Sequence, residues 1–173
     1  LWKTAAEVVR DELVRVDPAR GDAYTANAAK YLAELDALDA EVRAKASTLP
    51  ADKRVLVTSH DAFGYFAAAY GFEVHGLQGV STAAAVGTQD VDKLANVLGQ
   101  RRIPAVFCET SVRPKGLEKV LDTVRQRYGH EVRLVGGDDA LYSDSLGAAG
   151  TPAATYVGTV RHNVDVIVRN LSR

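Results

Sequence analysis

The sequence has no methionine, one cysteine, one tryptophan and no excess charge of either sign. Each scarcity excludes something. A lone Cys108 can form neither an internal disulfide nor a thiolate zinc site by itself. It sits in the apolar run Ala105-Val106-Phe107-Cys108 and reads as a small buried hydrophobe. Cysteine usage therefore does not decide the compartment. A net charge of -1 offers no electrostatic reason to expect nucleic acid as a partner. No run of roughly 18 apolar residues occurs, so no membrane-spanning helix is expected. Leu1-Trp2-Lys3 leads straight into a helical pattern with no signal peptide ahead of it. With methionine absent throughout, a trimmed or processed product is expected. Low-complexity segments and internal repeats are lacking too.

What is present is the profile of a soluble globular protein: 173 residues, 47% hydrophobic and 25% charged, enough for one domain with a core plus some extra helix. Residues 1–16 repeat Leu1, Ala5, Val8, Val9, Leu13 and Val16 at helical spacing, and the pattern stops at Asp17-Pro18, where proline displaces its predecessor from helical geometry. A second helix is predicted over 23–47, roughly 37 Å long. From Arg54 the pattern changes to short apolar runs at 55–58, 73–78, 105–110 and 131–135. Helical stretches at 62–70, 89–100, 114–128 and 151–170 separate or follow them, with Pro152 in the first turn of the last. Strands alternating with helices imply βαβ units. The expected fold class is α/β, a four-stranded, mostly parallel sheet flanked by helices and preceded by a long linking helix.

Open parallel sheets bind ligands beyond the carboxyl ends of their strands. That rule selects Ser59-His60-Asp61, then Gln78 to Thr82, Glu109-Thr110-Ser111, and Gly136 through Ser145. Imidazole with carboxylate suits zinc or manganese, which makes His60 and Asp144 a candidate pair. On spacing alone they remain equally a helix-start histidine and a turn aspartate, and two ligands do not close a tetrahedral site. His75 alternates along a strand, His130 lies in a turn and is expected to be exposed, and His162 reads as helix packing. Gly136-Gly137 lacks the pattern of a phosphate loop. Ser59-His60-Asp61 are sequence neighbours, whereas a hydrolase triad converges from separate segments. Glu109 with Asp144 could form an acid/base pair, leaving a small-molecule hydrolase or transferase as the alternative.

Five segments taken together resemble one family. They are VTSHDAFGYF (57–66), GLQGVST (76–82), VFCETSV (106–112), LYSDSLG (141–147) and YVGTVRHNVD (156–165). In this combination and order they resemble the metal-specific solute receptors of zinc and manganese ABC importers. The resemblance implies two α/β lobes joined by one long helix, with the metal between them and two ligands from each. It places residues 1–19 as the tail of the amino-terminal lobe, 20–49 as the linking helix and 50–173 as the carboxyl-terminal lobe. It makes His60 and Asp144 metal ligands and Glu109 a group near the metal that orients a ligand, against a strand-end salt bridge with Arg113 or Arg161.

The resemblance further implies a manganese or zinc ion whose site is only half present in this chain. A three-histidine, one-aspartate set occurs with either metal. The implied partners are the missing amino-terminal lobe and an ABC permease, with self-association of the isolated chain through its first helix as a further expectation. The implied place is extracytoplasmic, periplasmic or lipid-anchored, with signal and anchor outside this chain. Catalysis is not implied, and an adhesin role described for some members has no residue here arguing for it.

Overall fold

The computed structural model describes residues 1–80 and 86–172. The chain divides into two compact units, Leu1–Val42 and Arg43–Arg173. In the first, helix α1 (Trp2–Val16) ends where Asp17-Pro18 predicts. A 3-10 turn at Pro18–Arg20 follows, and Asp17 holds that corner by accepting from Arg20 at 2.5 Å and from the Tyr24 hydroxyl at 2.8 Å. Helix α2 (Gly21–Ser47) has 27 residues, about 40 Å at the usual rise. No residue of α1 is buried. Its apolar repeat leaves Leu1, Val8, Val9 and Val16 exposed.

The second unit is built on β1 (Val55–His60), β2 (Glu73–Gln78), β3 (Ala105–Phe107) and β4 (Arg133–Val135), in the spatial order β2-β1-β3-β4. Every pairing is parallel, as the alternation of strands and helices predicts. Helices α3 (Gly64–Tyr70), α4 (Thr88–Arg101), α5 (Lys115–Tyr128) and α6 (Tyr156–Leu171) complete the unit.

Side-chain alternation splits the core in two. Leu56, Ala105 and Phe107 pack with Ala67 of α3 and Val166 and Ile167 of α6. Val55, Val57, Val106 and Cys108 pack with Leu94 and Leu98 of α4 and Leu117 and Val120 of α5. All six β1 residues are buried, which is why this strand reads as a continuous apolar run rather than an alternating one. Cys108 is a free, buried thiol, and burial pushes its pKa up.

Three of the boundaries that differ from the sequence expectation have a clear structural form. β3 ends at Phe107 rather than 110, because the next residues change partner. Cys108 donates its N–H to Val135, but its carbonyl accepts from Leu141, and Glu109 and Leu141 form an isolated bridge. β4 starts at Arg133 rather than 131. The helix expected over 151–170 is two pieces, a 3-10 turn Pro152–Ala154 and then α6. Thr155 is extended between them, and its hydroxyl accepts from the Gly158 N–H at 3.1 Å, an N-cap that starts a new helix.

The strand order positions the site. The chain runs from β1 outward to β2, then returns to place β3 on the other side of β1. The reversal lies between β1 and β3, the switch point where open α/β sheets bind ligands.

Candidate metal centre

β1 delivers His60 to the carboxyl edge of the sheet, and the residues after β3 deliver Glu109 beside it. His60 and Glu109 are each 3% exposed. Glu109 Oε1 accepts the His60 backbone N–H at 2.8 Å. Its Oε2 lies 2.6 Å from His60 Nδ1. The ring is turned so that this second contact is not aligned as a hydrogen bond, and both atoms are buried without another partner. The His60 carbonyl accepts from the Thr58 hydroxyl at 2.8 Å and from the Ala62 N–H at 3.1 Å. The backbone around His60 is thus tied on both sides.

Gly76 permits this. In β2 a Cβ at that position would stand 2.6 Å from the Asp61 nitrogen and 2.8 Å from the His60 carbonyl carbon. Only glycine lets β2 come this close to the backbone leaving β1.

Asp144 reaches the same point from the other direction. Its Oδ2 is 3.4 Å from His60 Nε2, and its side chain is 54% exposed. Ser111 Oγ donates to that oxygen at 2.9 Å and lies 3.3 Å from Ser143 Oγ. The segment leading to Asp144 is clamped by Asn163 of α6, whose amide exchanges two hydrogen bonds with the Tyr142 backbone at 2.9 and 2.7 Å. His162 lies against the same segment, its Nε2 3.0 Å from the Ala140 carbonyl and its ring edge-on to Tyr142.

The arrangement is compatible with a pair of metal ligands. A histidine with a carboxylate at Nδ1 has Nε2 left to coordinate. Two ligands bound to one ion at about 2.0–2.2 Å stand about 3.4 Å apart at a tetrahedral angle, the observed Nε2–Oδ2 separation. Among the described residues, no three His, Cys, Asp or Glu side chains converge to hold an ion.

The other expectations divide. His75 pairs with Glu73 at 2.7 Å on the edge strand, and Glu73 also binds Arg101 at 2.6 Å. The hydrogen bond from Arg101, helped by His75, holds the Glu73 carboxyl below the usual carboxylate range. His130, expected exposed, is half-buried with its Nε2 unpartnered and its ring against Tyr128. Ser59 is buried next to His60. Successive strand residues face opposite sides of a sheet, so the two cannot act as a nucleophile and its base. Ser81 and Thr82 lie outside the described residues. Asn163 and Gly76 were not singled out from sequence, and Ser111 was selected only as a strand-end residue, with no role given to it. Ser111 stands two positions after Glu109, and Asn163 stands beside His162 in a segment that carries the resemblance.

Residues 1–170 match the family model described as "Zinc-uptake complex component A periplasmic". The chain belongs to that family. It is 49% identical to the zinc-binding protein TroA of Treponema pallidum over 173 residues, the whole of this chain and 55% of that protein. It is 40% identical to the manganese-binding lipoprotein MntA of Bacillus subtilis over 171 residues, covering 99% of this chain and 55% of MntA. The solved structure of the periplasmic zinc-binding TroA superposes with a TM-score of 0.93 at 48% identity, covering 99% of this chain and 61% of that one. The chain thus spans about half the length of the curated relatives it matches. Among the described residues, no helix is long and apolar enough to cross a membrane.

Proposed function

We propose that this chain is the carboxyl-terminal half of a receptor that captures a divalent transition metal, zinc or manganese, outside the cytoplasmic membrane for an ABC importer. It supplies His60 and Asp144 as two of the ligands, with Glu109 orienting His60. The observation that carries the reading is the pairing of His60 Nε2 with Asp144 Oδ2 at 3.4 Å, beside the β1/β3 reversal. Relatives named for zinc and for manganese stand at 49% and 40% identity, which supports this class of cargo.

In this reading residues 1–19 belong to the tail of the other lobe, 20–49 to the linking helix and 50–173 to the metal-binding lobe. The partners are the other lobe, with the remaining ligands, and the permease. The protein is a binding module rather than an enzyme, since Glu109 has both oxygens turned to His60 and is not free for acid/base work on a substrate. A second copy of the chain, packed on the exposed apolar residues of α1, is the partner proposed for the isolated 173-residue protein. Light scattering that finds only monomer at high concentration removes that partner.

Calorimetry with zinc and manganese tests the site. Weak binding is expected, abolished by His60→Ala. Submicromolar binding to the monomer that His60→Ala leaves intact would sink the assignment.

A further inference from the structure

Glu109 and Ser111 belong to one turn, closed by the Val112 N–H donating to the Glu109 carbonyl at 3.3 Å. Glu109 reaches inward to His60. Ser111 reaches outward to Asp144. Between them, the Thr110 N–H donates to the Leu141 carbonyl at 2.9 Å, so the turn is bonded to the segment that leads into Asp144. The backbone of the turn is therefore fixed against the segment that leads into Asp144.

Asp144 needs such a hold. It is 54% exposed, and the carboxylate of an exposed aspartate otherwise samples several rotamers. Ser111 has a single O–H. Since it donates that proton to Oδ2, the contact with Ser143 Oγ must run from Ser143 to Ser111, and a donor chain of this kind strengthens its last link. The oxygen that receives it is the one facing His60 Nε2.

We infer that Ser111 is the positioning residue for Asp144, holding Oδ2 toward His60 Nε2 so that the carboxylate is preset to share an ion with the imidazole. The inference rests on the metal-site reading above and deepens it: one turn, 109–112, sets both ligands. It also separates their roles. His60 is set from within the core, while Asp144 is set by a hydroxyl at the surface, so the carboxylate is the ligand that lets go when the ion leaves.

Two measurements on the 173-residue chain test this. The first needs no metal. Three-bond couplings at Asp144 should report a single χ1 well in the parent and averaging over wells in Ser111→Ala. Averaging in both, or one unchanged well in both, overturns the inference. The second is a zinc titration followed by calorimetry. Ser111→Ala should weaken binding about tenfold, the low end for a group that orients a ligand, with an unchanged melting temperature. Ser111→Thr, which keeps the hydroxyl, should bind like the parent. If His60→Ala abolishes binding and Ser111→Ala leaves it unchanged, the positioning role falls and the site stands. If His60→Ala leaves binding unchanged, the site itself falls, and the inference with it.

Discussion

The two proposed ligands stand 3.4 Å apart and are held by opposite means. His60 ends a strand buried along its whole length, and a carboxylate that is itself 3% exposed covers its backbone N–H and its Nδ1. Asp144 sits in a loop, half open to water, on one side-chain hydrogen bond from Ser111 and a backbone clamp two residues away. In the proposed site this difference would leave one ligand preset and the other free to move. A buried ligand keeps its geometry because misplacing it would strand polar atoms in the core. An exposed one can move at little cost, because water accepts whatever it drops.

The sharpest break of that contrast is at Glu109. Glu109→Ala strands the His60 backbone N–H in the core and should cost about 1–3 kcal/mol, the desolvation of a buried donor left without its partner. Asp144→Ala should stay within about 0.5 kcal/mol of the parent while removing metal binding. Urea unfolding of both variants, with calorimetry, reads the two effects apart. Equal destabilisation by the two would erase the asymmetry. Gly76→Val attacks the His60 side through the backbone. Its side chain would press on the Asp61 nitrogen and the His60 carbonyl carbon, and about 1–3 kcal/mol is expected for such overpacking, with shifted His60 ring signals by NMR.

Asn163→Leu attacks the Asp144 side. Removing both bonds to Tyr142 should cost about 1–3 kcal/mol and speed amide exchange at Tyr142, while His60 keeps its environment. The smallest effect lies off the site and serves as a control. Glu73 has its pKa lowered in the fold, chiefly by Arg101, so its contribution is complete above the ordinary glutamate value of about 4.3 and is lost as pH falls through the lowered value. Because the pair is solvent-screened, it amounts to no more than about 1 kcal/mol. Glu73→Gln should flatten that acid dependence in urea melts without altering metal binding. A change in metal affinity would mean that the edge strand communicates with the site.

The apolar run at 55–58 was legible because burial on both faces of a parallel sheet leaves a continuous hydrophobic signature, and the helical repeats were legible from their own periodicity. The stop before Pro18 was legible for the equally local reason that proline dictates the backbone of its neighbour. β3 was misjudged where the cause is not local, and the last helix where a local cap was passed over. Cys108 changes hydrogen-bond partner from Val135 to Leu141, and Thr155 breaks the final helix by capping a new one. His130 was placed at the surface because a turn usually lies there, yet the ring packs against Tyr128.

The amino-acid sequence by itself determined the α/β class, the family and the short set of strand-end residues from which a site could be drawn. Those are carried by periodicity and by residues close together along the chain. Only the tertiary structure decided that β1 and β3 are neighbours at the reversal of the sheet, and that Glu109 turns to His60 rather than toward the crevice with Asp144. It also placed Ser111 and Gly76 as the supports on either side. Such contacts join residues 30 to 50 positions apart, and no local pattern records them, because they depend on which strands the crossovers set side by side.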